Sequence, residues 1–363
     1  MIDHRFGTFG LLCGSVFIAG LLLELIFRLA GIRAFNLIFL TDHVTLDQTA
    51  HLTCYDTNPH GELPIDLWDE QQRRQLRQQY RFSHLNDPRP INRYCVLLRY
   101  DSKGFRLPPK YPAFRDPFRI LALGDSFTMG AGVTDEATWP EQLRLNLMQK
   151  DSTRCVEVFN AGKSDYGIYG IDANFQGSNA ELTIYAYVLN DPVIKNPALA
   201  HGQDYINDLI MRRVWKVDHA SGSSLFDFFR TQLVLARVRR KTIQWYRDIH
   251  SQQNAAGWHE TEQRLRSLQQ KATAHGGSFW VVIYPLLIDL DRDYPFVELH
   301  QFITTSCQKL GIRVLDLLPA FSGQNPTSLW VHPVDLHPNR TAQAIAAAAI
   351  ADQIVNGPAA VGR

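Results

Sequence analysis

The chain has 363 residues, of which 45% are hydrophobic, 20% charged and 11% aromatic, a composition that excludes a disordered chain and suffices for one large domain with an appendage. Lys and Arg (37) nearly cancel Asp and Glu (36), which argues against a general polyanion binder, so nucleic acid is not an expected partner. There is no CxxC or His-x-x-x-His spacing, and neither a metal nor a cofactor is expected.

The N-terminus differs from the rest. From Phe6 to Leu23 no residue is charged, and apolar character resumes at Leu25 after Glu24. About 20 apolar residues can cross the hydrocarbon core as a helix, so residues 1–30 are expected to be a single-pass membrane anchor. Glu24 and Arg28, four apart, can pair on one helix face. A cleaved signal peptide and a buried core helix are the alternatives; no small-x-small cleavage site follows the apolar run. Arg5 before the segment and Arg28 and Arg33 after it leave the positive-inside count undecided. Cys54 and Cys95, if bridged, would place the main domain on the periplasmic or extracytoplasmic side; two unrelated thiols are the other reading.

Residues 31–118 read as an interfacial stretch (Ile32–Leu40) followed by an irregular extension rich in Pro, Asn, Asp and His, with one helical candidate at residues 66–80. From Arg119 the rhythm changes. Short apolar runs read as buried strands: RILALG, VEVFN from Val156, TIYAYVL from Thr183, FWVVIYP from Phe279 and IRVLDL from Ile312. Helical patterns separate them, at Pro140–Met148, across a helical insertion at about 205–275, and at Glu298–Leu310; Thr138 is a candidate cap before Pro140. Strands alternating with helices imply parallel pairing, hence a doubly wound α/β domain over 119–357 with its site beyond the strand C-terminal ends. Cys155 and Cys307 fall in strand and helix contexts as small buried hydrophobes. The stretch from Leu225 reads as an amphipathic helix with Arg230, Arg237, Arg239, Arg240, Lys241 and Arg247, either a packed helix with a solvated basic face or a cap turned to a membrane or a polyanion.

Four fragments fall at the strand ends: GDSFTMGAGV from Gly124, FNAGKSDYGIYG from Phe159, LNDP from Leu189 and VDLHPN from Val334. In this order they resemble the SGNH (GDSL-type) hydrolase superfamily of esterases, lipases, deacetylases and O-acyltransferases, over about Arg119 to Ile354. YDSKGFR and the apolar N-terminus also look like its membrane-tethered bacterial members. The resemblance implies a flavodoxin-like, five-stranded parallel sheet flanked by helices, with Ser126 as nucleophile, His337 as general base and Asp335 orienting the imidazole. It further implies an oxyanion hole formed by the Ser126 amide, the Asn190 side chain and the backbone at Asp165. Two departures stand out. The acid lies two residues before the histidine rather than three, a spacing that keeps both on one face of an extended segment. Asp165 occupies the place of a usual glycine, with Gly162 or Gly167 as alternative loop-shaping residues.

Asp125 is expected to fix the turn, Asp191 to be a turn residue before Pro192, and His332 is the competing base. Trp139 and Trp330 either stack on a sugar or pack. The resemblance leaves three functions: an esterase removing an acyl group, notably acetyl, from a cell-envelope glycan or lipid; an O-acyltransferase using the same triad, with a membrane acyl-donor protein as partner; or a non-catalytic glycan-binding subunit.

Overall fold

The computed structural model describes residues 18–29, 42–45, 50–55, 94–109, 114–177, 179–202, 222–332 and 335–357. The chain divides into two compact units, one formed by Met1–Ile38 with Asn196–Asp248, the other by Phe39–Lys195 with Ile249–Arg363.

The second unit holds the sheets. Three strands come first: β1 (Asp42–Thr45), β2 (Ala50–Tyr55) and β3 (Tyr94–Arg99). They are followed by β4 (Phe118–Gly124), β5 (Val156–Asn160), β6 (Leu182–Tyr187), β7 (Ser278–Ile283) and β8 (Arg313–Asp316). The last five form one sheet in the order β5-β4-β6-β7-β8 with every neighbour parallel. All five strands read from the sequence are therefore present, in the doubly wound order expected. Six of the seven β4 residues and all six of β6 are buried, because helices cover both faces. That is why these strands read as unbroken apolar runs rather than alternating ones.

On one face Ile120, Ala122, Ile184, Ala186 and Val282 pack with Trp139, Leu143 and Leu147 of the helix Trp139–Lys150 and with Ala346, Ile350 and Ile354 of the helix Arg340–Asn356. The alanine run of that last helix lets it lie close against its neighbour. Trp139 is wholly buried here, so it packs in the core and does not stack on a ligand. On the other face Leu121, Leu123, Tyr185 and Val281 are buried. The helices Ala255–Ala274 and Val297–Lys309 run beside β7 and β8 and bury Leu265, Leu268, Ile303 and Cys307. Full burial of each such aliphatic side chain is worth about 1.5–3 kcal/mol.

Two expectations change. The extension before the main domain contains an antiparallel sheet, β1-β2-β3, instead of wholly irregular chain. Val96 and Leu98 of β3 pack with Met129, Val133, Ala137 and Val331, so the extension completes a satellite core beside the loop after β4. Its register sets the backbone of Cys54 opposite that of Cys95; their side chains lie outside the described ones. The insertion at about 205–275 also moves. Its second helix, Ala255–Ala274, belongs to the sheet-bearing unit as the crossover before β7, because Leu265 and Leu268 bury against the sheet; residues 196–248 group instead with 1–38.

In the first unit, residues 18–29 are helical and a 26-residue helix runs over Ser224–Ile249, ending at the unit boundary. Among the described residues no helix is long and apolar enough to cross a membrane. Most of the expected anchor, the interfacial stretch Ile32–Leu40 and the helical candidate at 66–80 lie outside the described residues.

Candidate active site

The chain leaves β4 at Gly124 and turns at once into the short helix Ser126–Met129. Asp125 caps it, its carboxylate accepting from the Phe127 amide at 2.8 Å, as expected of a turn-fixing residue. Gly130, in the left-handed region at φ 80°, closes the helix by donating its amide to the Ser126 carbonyl. Ser126 is thereby pinned at the C-terminal edge of the sheet's central strands, where doubly wound folds place their sites.

His337 arrives from the other end of the chain. It sits on β10 (Asp335–Pro338), paired antiparallel with β9 (Trp330–His332). The Ser126 Oγ and His337 Nε2 are 2.8 Å apart, and His337 Nδ1 and Asp335 Oδ1 are 2.5 Å apart. Asp335 is acceptor-only when ionised, so Nδ1 carries the proton, and Nε2 is left to accept from the serine hydroxyl. The Asp335 carboxylate also accepts the His337 backbone amide at 3.1 Å. The two-residue spacing therefore works as an extended segment allows. Burial alone would depress the His337 pKa; the charge and hydrogen bond of Asp335, helped by the charges of Asp125 and Asp165, outweigh it and raise the pKa above its ordinary value. His332, the competing base, is buried on β9 and pairs backbone to backbone with Asp335, while His337 is the histidine on the serine.

Asn190 and Asp165 follow from the strand order. β4 lies between β5 and β6, so the segments leaving those strands fall on either side of the turn after β4, and the Lys163 amide donates to the Gly124 carbonyl at 3.0 Å. Asn190 ends the segment after β6 with its side chain exposed. Next to it, Asp191 is buried and more than a turn residue. Its carboxylate accepts the Tyr185 hydroxyl at 2.6 Å and the Val188 amide at 3.0 Å, and its carbonyl accepts the Ile168 amide. Burial, then the charge of Asp125, pushes the Asp191 pKa well above the carboxylate range; burial likewise raises Asp125.

Asp165 stands in the left-handed region at φ 62° with an exposed side chain, the conformation a glycine would adopt without strain. This left-handed backbone is held by a residue whose carboxylate lies within electrostatic reach of His337. Gly162 shapes the loop differently: a Cβ there would fall 2.1 Å from the Met129 backbone nitrogen, so the loop after β5 lies directly on the nucleophile helix. A Cβ at Gly167 would lie 3.0 Å from the Asp191 carbonyl oxygen, a tight but much less severe approach. Trp330 is half-buried and donates its ring N–H to the Leu287 carbonyl.

Three positioning residues were missed in the sequence. Arg106 is 2% exposed, and its guanidinium donates to the Met129, Gly130 and Val133 carbonyls at 2.6 Å each and to Asp135 at 3.0 Å. It ties down the whole loop after the nucleophile helix. Gln343, wholly buried in the alanine-rich last helix, donates to the Phe127 carbonyl at 3.0 Å and accepts from the Trp139 amide at 2.7 Å. Asn339 caps that helix through Thr341 and Ala342 and donates to the Ser328 and Trp330 carbonyls, holding the start of β9, the partner of the His337 strand, to the start of the helix. The signals were present: an arginine in YDSKGFR, one glutamine among alanines, and the asparagine of HPN.

No protein-family model matches the chain and no curated protein matches it. Solved structures do. One is described as an α/β-hydrolase enzyme from the metagenome of Lake Arreo, Spain, with 12% identity, a TM-score of 0.40, and coverage of 69% of this chain and 99% of that one. A second is a putative lipolytic protein of the G-D-S-L family from Desulfitobacterium hafniense, at 15% identity and TM-score 0.33, covering 64% and 98%. A third is an acetylxylan esterase from Geobacillus stearothermophilus, at 15% identity and TM-score 0.37, covering 65% and 93%.

Proposed function

We propose that the chain is a membrane-anchored serine esterase of the SGNH type that removes an acyl group, most simply acetyl, from a cell-envelope glycan or lipid. The observation that carries the chemistry is the continuous relay from Ser126 Oγ through His337 to Asp335. The anchor rests on the uncharged run Phe6–Leu23.

His337 Nε2 takes the serine proton as Oγ attacks the acyl carbonyl carbon. The oxygen of the tetrahedral intermediate is met by the Ser126 amide, the Asn190 side-chain amide and the backbone at Asp165. Collapse of the intermediate breaks the bond to the alcohol, which leaves with the proton held by His337. Water then repeats the sequence on the acyl-serine and frees the acid. Asp335 holds the tautomer and stabilises the imidazolium, and its charge, then its hydrogen bond, outweigh burial and hold the His337 pKa high.

The test is release of nitrophenol from p-nitrophenyl acetate by the full chain in detergent. Ser126→Ala should lower kcat by about 10⁴-fold or more. Equal release from that variant would remove Ser126 as the nucleophile.

A further inference from the structure

The helix 18–29 carries two charges, Glu24 and Arg28, in an otherwise apolar run, and both are directed at the same short segment. Glu24 accepts from the Ser224 amide at 2.9 Å, the Leu225 amide at 2.8 Å and the Ser223 hydroxyl at 2.9 Å, and pairs with Arg28 at 2.7 Å. Arg28 in turn donates to the Gly222 carbonyl. Phe27 and Phe228 meet edge to face at 5.3 Å. A carboxylate in an apolar helix is costly unless it is paired. Here it caps the N-terminus of the helix Ser224–Ile249, satisfying orphan amides and matching the positive end of the helix dipole.

That capped helix has an unusual exposed stripe. Phe226, Phe229 and Leu233 are 59%, 56% and 74% exposed, and the same face continues through Arg237 and Arg240, also exposed. The spacing of three or four residues keeps all five on one side. The apolar part spans about 10 Å along the axis and the basic part begins about 6 Å further on, at 1.5 Å per residue. Beside it, Leu22, Ile26 and Leu29 of the helix 18–29 are 56%, 57% and 79% exposed. Apolar side chains at one end and arginines at the other match the acyl-to-headgroup boundary of an anionic bilayer.

We propose that the helix Ser224–Ile249 is a second bilayer-binding element, held against the anchor by Glu24. Its Phe226–Leu233 end lies among the acyl chains, and Arg237 and Arg240 rest on anionic lipid headgroups. The inference rests on the anchor proposed above. A bilayer is preferred to a protein partner because the apolar face is continuous with the anchor's own and is followed by a basic band.

The experiment places the photoreactive residue p-benzoylphenylalanine singly at Leu22, Phe229 or Gln324 of the full chain, in vesicles of phosphatidylcholine alone or with one quarter phosphatidylglycerol. Lipid adducts are expected from positions 22 and 229 and not from 324. The adduct yield at 229 should rise with phosphatidylglycerol, and that rise should vanish in Arg237→Gln/Arg240→Gln. Glu24→Leu should lower the yield at 229 severalfold while leaving that at 22 intact. Lipid adducts at 22 without any at 229, or adducts at 229 to protein, would overturn this inference and leave the anchor standing. Absence of lipid adducts at 22 would overturn the anchor itself. Adducts at 229 insensitive to phosphatidylglycerol would overturn the role of the two arginines.

Discussion

The two arms of the site are built differently. The serine arm is buried and held many times over: Ser126 is 8% exposed, Asp125 caps its helix, Gly162 lies against its backbone, and Arg106 gathers three carbonyls of the following loop. The histidine arm is a two-stranded ribbon with an irregular register, and the His337 side chain is 32% exposed. It depends on a few side-chain bonds, those of Asp335, Asn339 and Gln343. Ser126 thus has a fixed address, while the His337 ring stays open to solvent. A rigid arm resists single losses of contact; a sparse one transmits them directly to the hydrogen bond at the serine.

The largest effect that sharpens this contrast is expected from Asp335→Asn. It should lower kcat by about 10³–10⁴-fold with the fold intact, because the amide favours the wrong tautomer. The pH profile of the parent supplies the sign. The pKa of His337 is raised, so the base is already lost to protonation at a pH above the ordinary imidazole value of about 6.5, and kcat/KM should fall as pH drops through that raised value. The residual activity of Asp335→Asn should show this limb moved to lower pH. An unmoved limb would mean that Asp335 does not set the imidazole's charge.

Next comes Asn190→Ala, which should remove about 3 kcal/mol of transition-state stabilisation, seen as a fall in kcat with little change in KM. Arg106→Ala should act on the serine arm through stability instead, since it takes the guanidinium away from the Met129, Gly130 and Val133 carbonyls and leaves Asp135 with Arg99 alone. A loss of about 3 kcal/mol is expected in denaturant unfolding. A large loss of kcat at unchanged stability would contradict the division of labour between the arms.

The smallest effect belongs to Asp165→Gly. The left-handed backbone is kept and its strain relieved, so stability should rise or fall by less than about 1 kcal/mol. Loss of the carboxylate removes one influence raising the His337 pKa, and the acid limb should shift slightly downward. Asp165→Val, unable to hold φ 62° without strain, should instead lower both stability and rate.

Much of this frame was legible because its signals are local. The run TIYAY within Leu182–Tyr187 reads directly as a buried strand, and a parallel sheet covered on both faces leaves no polar alternation there to confuse the reading. Ser126, Asn190 and Asp165 lie in segments that leave strands of the parallel sheet, where a site is expected, and His337 lies on β10 just before the last helix. The remaining features depend on partners distant in sequence. β2 pairs with β3 across residues 56–93, with no short turn to announce a hairpin. The partner of Gln343 lies 216 residues away and those of Arg106 lie 23 to 29 away. A buried polar side chain looks the same in sequence as an exposed one until its partner is known. The division of residues 205–275 between the two units is hidden for the same reason, since the helices Ser224–Ile249 and Ala255–Ala274 differ in what they cover and not in helical pattern.

The most direct test of the central claim is covalent labelling of the full chain with a fluorophosphonate, followed by intact-mass measurement and peptide mapping. One adduct is predicted, on Ser126, at a rate that falls sharply in His337→Ala and more modestly in Asn190→Ala. Labelling on another residue, or labelling of Ser126 at the same rate without His337, would contradict the account.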